Sequence, residues 1–490
     1  MEKYSKNKTD LVKTIVIVGA GITGLATAWR LSTKGYKIIV IERQKFPGGL
    51  AASISEQGFK MDIGPHFLTL PRNSPITNLI RKLIGNENLI EINKIHEAYR
   101  VYFRGELLTK YPNIYDIIFK SGISNFLHSL SDYLIIKIKS NKSINVDSSI
   151  EDYLISIYGK FMYNTWFKPY IIQNEGIGDP QMPKELIEKI FPSPSIKKIL
   201  NYILKNLLKK PTKQKNVIAN KEFFDCYFRY GTGSIIENMI NEIKMNGGEV
   251  ILDADIKKIF HDEGLEKIQF LKNNKEHEIN ADRIIYSTPP SISLKWFNNI
   301  PENINIKNKK IEAFSSIIVF LMIDTPKVFE GWVISVYDPD LIFFRITQQN
   351  FLSGDIAPAG KCLLCVEIKC TEYDNIWKMN ESEIFSIIKS DLGKMKILDI
   401  KKIFDYKILK LNGIYPIAQK TVNLNNNKII KFINSFKNEY TVSTSTIDSG
   451  RLISATKQES NASNTPKLGG MYVALYNSEI LTTRILSSDK

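Results

Sequence analysis

Three glycines near the N-terminus have the spacing of a turn that can hold a diphosphate. The turn follows a run of β-branched residues at 13–18 and has the sequence GAGITG at residues 19–24. Gly19 permits the tight turn, Gly21 lets the backbone approach a pyrophosphate, and Gly24 allows the next helix to pack closely on the strand. The spacing therefore predicts a strand, a phosphate-binding turn and a helix.

The helix after this turn and the acid that follows it complete the pattern. The first N–H groups of the helix, at Ile22 and Thr23, are expected to face the phosphates, because a helix N-terminus carries a partial positive charge. A second strand-like run at 37–41 ends in Glu42, whose carboxylate can accept hydrogen bonds from both hydroxyls of a ribose. This order of elements predicts a Rossmann-type βαβ unit, and it allows either NAD or FAD.

Length and composition indicate a folded chain of several domains. The 490 residues are 43% hydrophobic and 24% charged, which is typical of a globular protein of two or three domains. No apolar run reaches the length of about eighteen residues that a membrane-spanning helix needs. Residues 1–12 lack the apolar core of a secretory signal, so we expect a cytoplasmic protein.

The formal net charge of +15 raises the question of an anionic partner. The lysines form no dense block and no nucleic-acid-binding module is recognisable, so we expect no nucleic-acid partner. Residues 114–138 mix apolar side chains and lysines in a helical rhythm. This segment is expected either to pack on a substrate domain or to rest on anionic lipid as a peripheral membrane contact.

The cysteine pattern suggests a metal or redox pair at first sight. Cys362 and Cys365 form a C-x-x-C, but no second such pair follows, and the segment around them is strand-like. In a strand, residues three apart face opposite sides of the sheet. We therefore expect buried apolar cysteines and no metal site.

The residues after Glu42 resemble a known group of flavoproteins. Residues 43–53, with the sequence RQKFPGGLAAS, are similar to the double-glycine extension of the amine oxidase, phytoene desaturase and protoporphyrinogen oxidase group. The resemblance implies that the cofactor is FAD. It places Arg43 near the phosphates and gives Gly48 and Gly49 close backbone contact, while Leu50 stands where the group usually has a second arginine.

A second element of this resemblance is the segment DIGPH at residues 62–66. It is similar to the D-x-G-P-H segment of protoporphyrinogen oxidase-like proteins and UDP-galactopyranose mutases, which implies backbone contact with the flavin ring. Gly64 would allow that approach and Pro65 would stiffen it. His66 is expected either to act near the flavin as a hydrogen-bond donor or proton carrier, or to hold the loop in place.

The resemblance to this group of flavoproteins extends into the second half of the chain. Ile256 matches the strand whose backbone holds the adenine, and Gly450 and Arg451 match a pair that contacts the pyrophosphate. Asn477 and Ser478 match the caps of a final helix, whose free amides would face the flavin. The end of the chain is accordingly predicted to be a strand leading into a helix.

Three residues are candidates for catalytic contact with a small-molecule substrate: His66, Arg345 and Tyr415. Arg345 lies in a segment that resembles a strand of the family's substrate sheet. It is expected either to bind a carboxylate or phosphate of the substrate or to be an ordinary surface arginine. Tyr415 belongs to a Tyr-Pro pair like the one near the family's cavity, where it either lines the cavity or packs.

The resemblance implies an FAD-dependent oxidoreductase that takes hydride from an organic, hydrophobic or cyclic substrate. Two alternatives stay open. One is an FAD-dependent isomerase of sugar nucleotides, like UDP-galactopyranose mutase, and the other is a flavin-binding scaffold without turnover. The Gly-Pro-His element at residues 64–66, the Gly-Arg-Leu segment at 450–452 and the Tyr-Asn pair at 476–477 fit the isomerase as well as the oxidase.

The expected fold class is α/β, or α+β overall, with a Rossmann-type FAD-binding domain assembled from discontinuous segments. A mixed-sheet substrate domain and a helical subdomain complete it. The three FAD-binding segments are expected at 1–72, 220–290 and 440–490, the helical or substrate domain at 73–219, and the substrate-binding sheet domain at 291–439.

Overall fold

The computed structural model describes residues 12–93, 95–103, 105–109, 123–139, 150–168, 222–262, 265–297, 300–304, 313–416, 420–436, 439–441 and 470–489. Gly450 and Arg451, the expected pyrophosphate pair, lie outside these ranges. The basic apolar segment 114–138 is described from residue 123 onward.

The strands are named in chain order. They are β1 (Thr14–Val18), β2 (Lys37–Ile41), β3 (Ser53–Glu56), β4 (Phe59–Asp62), β5 (Leu68–Pro71), β6 (Leu89–Ile92), β7 (Tyr99–Phe103), β8 (Glu106–Thr109), β9 (Phe223–Phe228), β10 (Glu249–Ile251), β11 (Ala254–Asp262), β12 (Leu265–Lys272), β13 (Lys275–Ala281), β14 (Arg283–Tyr286), β15 (Ala313–Ile323), β16 (Val333–Val336), β17 (Arg345–Gln348), β18 (Cys362–Cys370), β19 (Ile403–Pro416) and β20 (Glu439–Thr441).

The helices are named in the same way. They are α1 (Ile22–Ser32), α2 (Pro75–Ile84), α3 (Ile123–Lys139), α4 (Ile150–Tyr158), α5 (Lys160–Met162, continued by the π-helical turn Tyr163–Phe167), α6 (Gly233–Met245), α7 (Pro290–Ser293), α8 (Asn375–Lys378), α9 (Glu381–Met395), α10 (Lys420–Ile433) and α11 (Gly470–Ser488).

A five-stranded parallel sheet contains the predicted βαβ unit. Its strand order is β10-β2-β1-β14-β20, so its strands come from three separated stretches of the chain. The central strand β1 is an apolar run with both faces covered, as is usual in parallel sheets. Helices α1, α6 and α11 share one apolar core with this sheet, to which Leu25, Ile235 and Leu481 contribute. The expected α/β fold class is confirmed.

A seven-stranded mixed sheet forms the second layer, in the order β19-β15-β18-β17-β16-β7-β8. Only the β16–β7 pair among these neighbours is parallel. Strand β15, which pairs with β19 and β18, is buried along almost its whole length. One face packs against α9 and the other against β4. The expected divergence of the C-x-x-C is confirmed, because Cys362 lies in the first of these two cores and Cys365 in the second.

Two expectations about secondary structure are wrong. Three strands, β6, β7 and β8, lie in a region expected to be mainly helical, and β7 and β8 extend the seven-stranded sheet. The final strand-then-helix is a single helix, α11, that begins at Gly470. A short apolar run fits either a buried strand or a buried helix, and packing against α1 decides for the helix.

Candidate functional site

The glycine turn after β1 is closed by backbone contacts. Gly19 has a φ of +103°, and its N–H donates to the carbonyl of Ile41 at 2.8 Å. A Cβ at Gly24 would lie 2.2 Å from the carbonyl oxygen of Gly19 and 2.5 Å from Oγ of Ser287. Gly19 and Gly24 are therefore required by the protein's own backbone and packing.

The second glycine pair lies directly beside the first turn. The N–H of Gly48 donates to the carbonyl of Ala20 at 2.7 Å, and Gly48 forms an isolated parallel bridge with Gly21. A Cβ at Gly49 would lie 3.4 Å from Cα of Gly21. The two segments that the sequence placed in one phosphate site are thus neighbours in space.

Gly21 differs from the glycines around it. Its φ of −67° suits any residue, and a Cβ there would meet no protein atom within 4 Å. It precedes α1, which has no side-chain cap, and the first N–H groups of a helix, here at Ile22 and Thr23, have no partner within the helix. Neither backbone nor packing requires a glycine at this position, whereas an anion approaching the helix does. The residues present therefore fit the diphosphate of a dinucleotide.

Glu42 lies at the end of β2 beside this space. Its carboxylate accepts from the N–H of Ala20 and of Gln44, both at 2.8 Å. Each carboxylate oxygen keeps a further lone pair for a ribose hydroxyl. The N–H of Ala254 donates to the carbonyl of Glu42 at 2.9 Å, so the start of β11 adjoins the acid. Ile256 follows in that strand, and its carbonyl accepts from Nε1 of Trp296 at 3.2 Å.

Arg43 and Leu50 lie on the solvent side of the glycine turns. Both side chains are exposed, and Leu50 is 42% exposed. An exposed leucine in place of a charged residue cannot donate to a phosphate. Of the two predicted residues, Arg43 is thus the one that can supply a cation.

A buried aspartate that the sequence reading left without a role anchors the next segment. The Asp62 carboxylate accepts hydrogen bonds from the hydroxyls of Ser53 and Tyr227 and from the N–H of Thr232, the last at 3.0 Å. Burial and the charge of Asp62 raise the pKa of Tyr227 well above its usual range, so the phenol stays a donor. Asp62 thereby ties β4 to β9 and to the start of α6.

The loop after Asp62 carries the predicted flavin-contacting residues. Gly64 has a φ of +88°, and a Cβ there would lie 3.4 Å from Oε2 of Glu367 in β18. The Gln349 side chain anchors the start of this loop, because its amide nitrogen donates to the carbonyl of Asp62 at 2.6 Å. His66 places Nε2 2.8 Å from the carbonyl of Ile63, which is the contact expected of a loop-fixing histidine.

Arg345 and Tyr415 are brought together by Glu367. Arg345 donates from Nε and Nη2 to the two Glu367 oxygens at 2.6 and 2.7 Å. The Tyr415 hydroxyl donates to Glu367 Oε2 at 2.8 Å and accepts from Arg345 Nη2 at 2.9 Å. Glu367 is fully buried, whereas the Arg345 side chain is 25% exposed. The expected free carboxylate-binding arginine is thus already paired through Nε and Nη2.

Charge and burial set the protonation of this cluster. Burial, and then the negative charge of Glu367, raise the pKa of Tyr415 far above its usual range. Burial alone would lower the pKa of Arg345, but Glu367 and Tyr415 outweigh it and raise that pKa further. The cluster therefore holds a protonated phenol and a guanidinium beside Gly64 near neutral pH.

Asn477 and Ser478 do not have the predicted role of helix caps. They lie two turns inside α11, and Ser478 is buried against α1, where its Oγ accepts from Nε of Arg30 at 3.2 Å. Backbone N–H groups in a helix interior donate to carbonyls four residues earlier, so these two are not free amides.

Sequence reasoning missed Glu367 as part of the site and gave no role to the side chains of Asp62 and Ser287. Ser287 donates from Oγ to the carbonyl of Gly19 at 2.9 Å and so supports the glycine turn. The sequence did contain a sign of Glu367, because this acid lies inside a mainly apolar strand with the sequence CLLCVEIKC. A buried charge without a partner is costly, so such an acid predicts a nearby cation.

Comparison with known proteins supports the N-terminal interpretation. Residues 17–83 match the family model of the NAD(P)-binding Rossmann-like domain. A neurosporene-forming phytoene desaturase of Rhodobacter capsulatus is 46% identical over 67 residues, which cover 14% of this chain and 13% of that protein. The matches to the first curated relatives span only 11% to 15% of their length.

The matches that cover most of the chain have lower sequence identity. Coproporphyrinogen III oxidase of Staphylococcus aureus is 22% identical over 408 residues, covering 79% of this chain and 84% of that protein. The crystal structure of reduced UDP-galactopyranose mutase has a TM-score of 0.71 at 16% identity and covers 97% of this chain and 96% of its own. A putative protoporphyrinogen oxidase of Exiguobacterium has a TM-score of 0.65 at 16% identity, with coverages of 96% and 99%. The N-terminal segment is therefore similar to the Rossmann-like segment of the phytoene desaturases, and the whole chain shares the fold of the two solved structures.

Proposed function

We propose that the chain holds FAD across its two glycine turns and uses it to oxidise an organic small molecule. The diphosphate would lie over Gly21 and the first N–H groups of α1, and Glu42 would hold the ribose. When bound, FAD supplies a hydride acceptor at its flavin ring. The open space over Gly21 supports this placement, because no protein atom occupies it.

The substrate end of the proposed site is the Arg345–Glu367–Tyr415 cluster. Gly64 lies against Glu367, so the loop expected to contact the flavin meets the cluster directly. The Arg345 side chain, which is 25% exposed, would donate to an oxygen acceptor of the substrate, and the ion pair with Glu367 would hold the guanidinium in one orientation. Because Glu367 neutralises Arg345, we expect recognition of a carbonyl or a single carboxylate in preference to a dianion.

One observation carries this proposal: a buried ion pair with a tyrosine hydroxyl lies directly beside the Gly64 loop. Buried charge is expensive and is a common feature of substrate sites. The long match to coproporphyrinogen III oxidase supports an oxidase acting on a porphyrinogen.

The same cluster also favours a second candidate, a redox-neutral isomerase of sugar nucleotides. The fold likeness to UDP-galactopyranose mutase covers almost the whole chain. An Arg-Glu-Tyr cluster suits a polar sugar better than a polyene, because it offers several hydrogen-bonding groups. A scaffold without turnover stays the third possibility.

The test begins with purified protein, which we expect to carry an oxidised-flavin absorption spectrum. Anaerobic mixing with a porphyrinogen, a polyene and an amine then measures the rate of flavin reduction by each compound. We expect reduction by the porphyrinogen, and Tyr415→Phe should slow it at least tenfold without changing the flavin content.

Tyr406→Phe is the matched control. Tyr406 lies in the same strand, β19, but its ring stacks on Phe385 at 4.0 Å, away from the cluster. The control should react at the wild-type rate. Interconversion of sugar-nucleotide ring forms by dithionite-reduced protein would replace the oxidase proposal with the isomerase, and a colourless protein that takes up no FAD would overturn both.

A further inference from the structure

Two consecutive glutamines are buried where β17 ends. Gln348 is the last residue of the strand and Gln349 begins the 3₁₀ turn that follows. They are 1% and 2% exposed. Burying a side-chain amide is costly unless its N–H and C=O groups are hydrogen-bonded. The partners of the two amides therefore indicate what each glutamine holds in place.

The Gln348 amide binds a loop on the face of the sheet that packs against α9. Its Oε1 accepts from the N–H of Val328 at 2.6 Å and of Phe329 at 3.2 Å. Its Nε2 donates to the carbonyls of Phe329 and Gly331, both at 3.1 Å. Phe329 belongs to the apolar core that the sheet shares with α9. Gln348 is thus a structural residue of that core.

The Gln349 amide binds the Gly64 loop (residues 62–66) in the same way. Its Oε1 accepts from the N–H of Asp62 at 3.1 Å. Its Nε2 donates to the carbonyl of Asp62 at 2.6 Å and, at the longer distance of 3.4 Å, to that of Gly64. Only a side-chain amide offers one donor group and one acceptor side by side to match a peptide backbone. Gln349 therefore pairs with this loop as a neighbouring strand would.

The middle of the Gly64 loop is held from other directions. The N–H of Ile63 donates to the carbonyl of Ala52 at 3.2 Å, and the carbonyl of Ile63 lies 2.8 Å from Nε2 of His66. The Ile63 side chain lies in the core between β4 and the sheet. Gln349 complements these contacts, because its single amide reaches the backbone on both sides of Ile63.

We propose that Gln349 is a positioning residue for the flavin, because its amide fixes the backbone that is expected to contact the ring. This inference rests on the proposed function, in which the Gly64 loop meets the flavin. Gly64 carries no side chain, so the position of the backbone alone sets the distance between loop and ring. A displacement of about 1 Å in a positioning group can cost about a hundredfold in rate.

The variant Gln349→Glu makes this contact depend on pH. A protonated carboxyl has one donor and one acceptor and can keep both bonds to Asp62, whereas a carboxylate only accepts and repels the Asp62 carbonyl. Titratable and charged groups in contact with the loop include Asp62 itself, His66, Tyr227, Cys365 and the Glu367–Arg345 pair. Burial and the charges of Asp62 and Glu367 are expected to raise the pKa of the introduced carboxyl above its usual value of about 4.3.

Titration of the full-length apoprotein with FAD measures the effect. For Gln349→Glu we expect the FAD dissociation constant, relative to that of wild type, to rise at least tenfold between about pH 5.5 and about pH 8.5. The absorption spectrum of the bound flavin should match that of wild type at the lower pH and shift toward that of free FAD at the higher pH. The stability of the variant relative to wild type should fall over the same range, because a carboxyl with a raised pKa binds its proton more tightly in the folded state than in the unfolded state.

Gln348→Glu is the matched control. It makes the same change in a neighbouring amide that is equally buried and has the same kind of partners. We expect a similar pH-dependent loss of stability, because burial again favours the protonated carboxyl. Its FAD dissociation constant should stay within twofold of that of wild type at both pH values, because the 328–331 loop is not part of the proposed flavin site.

A second pair of variants applies if the glutamate variants do not fold at the higher pH. Methionine has nearly the length of glutamine but no N–H donor and only a weak acceptor. Gln349→Met should raise the FAD dissociation constant at least tenfold at both pH values, whereas Gln348→Met should stay within twofold of wild type.

Two results would overturn this inference alone, in a wild-type protein that binds FAD. One is wild-type FAD affinity and flavin spectrum in the folded Gln349 variants, and the other is an equal loss of FAD affinity in the Gln348 and Gln349 variants. A wild-type protein that takes up no FAD would overturn the proposed function and this inference with it.

Discussion

Gly21 and Gly24 belong to one turn but are glycines for different reasons. Gly24 is required by the protein itself, since a Cβ would lie 2.2 Å from the carbonyl oxygen of Gly19. Gly21 has an ordinary φ of −67° and open space around it. The structure therefore separates a glycine that folding requires from one that folding does not require, within a single turn.

This separation predicts opposite outcomes for two alanine variants. Gly21→Ala should fold with the thermal midpoint of the wild-type apoprotein but bind FAD at least tenfold more weakly. Gly24→Ala should lose about 4 kcal/mol or more of stability, because the new methyl group meets backbone. Thermal unfolding of the apoproteins and titration with FAD measure both effects.

Gly354→Ala is the control for these variants. Gly354 also has open space around a Cβ and no positive φ, and it lies away from the two glycine turns. This variant should change neither the thermal midpoint nor FAD affinity. Wild-type FAD affinity in Gly21→Ala would contradict the diphosphate placement.

The Arg345–Glu367 pair gives a second prediction at residue scale. Glu367→Gln would leave the Arg345 charge without its counter-ion, so we expect a loss of about 3 to 5 kcal/mol in the free energy of unfolding. Glu330→Gln makes the same change in an exposed pair with Lys327 and should cost less than about 1 kcal/mol. Urea denaturation measures both losses, and equal values would show that burial of the Glu367 pair has no energetic consequence.

Helix α6 and strands β4 and β9 meet at Asp62. Its carboxylate takes hydrogen bonds from two hydroxyls and from the N–H of Thr232 at the start of α6. An asparagine has one acceptor oxygen instead of two, so it cannot satisfy all three donors. The Gly64 loop begins directly after Asp62 and depends on this junction.

Asp62→Asn should therefore destabilise the fold by about 2 to 4 kcal/mol, the cost of leaving buried donors unsatisfied. Asp225→Asn is the comparison, because Asp225 is only half-buried and accepts from Thr69 Oγ, a contact that an amide oxygen can keep. We expect a loss below about 1 kcal/mol there. Denaturation midpoints and bound-flavin content are the measurements, and a stable Asp62→Asn protein would contradict the anchoring role.

At the scale of the whole molecule, Asp489 connects the end of the chain to its beginning. It forms ion pairs with Lys13 and Arg283 and accepts from the hydroxyl of Tyr36. Burial and Asp489 raise the pKa of Tyr36 to about 12. Burial alone would raise the pKa of Asp489, but its bonds to Lys13, Tyr36 and Arg283 outweigh burial and lower it.

A carboxyl whose pKa is lower in the folded than in the unfolded state stabilises the protein above the unfolded pKa, here about 3.9. We expect Asp489→Asn to cost about 1.5 to 3 kcal/mol at neutral pH. The difference from wild type should shrink as the pH falls through the lowered pKa. Urea denaturation across pH tests this, with the exposed Asp340→Asn as control, and a difference independent of pH would exclude the ion pairs as its source.

The sequence by itself determined the nucleotide-binding unit, because the glycine turn, α1, β2 and Glu42 are local features with strict spacing. It also determined that Cys362 and Cys365 diverge, since strand periodicity alone settles that point. Only the tertiary structure decided which residues meet at Arg345, the proposed substrate contact. Glu367 and Tyr415 lie 48 residues apart, and sheet pairing brings them to 2.8 Å.

The end of the chain shows the same division. The apolar run at the start of α11 fits a strand or a helix equally well in sequence, and the contact with α1 selects the helix. Because Asn477 and Ser478 lie inside this helix, they do not cap its N-terminus. Local spacing determines local backbone, whereas long-range packing determines which side chains meet, because the free energy of a buried contact exists only once both partners are in place.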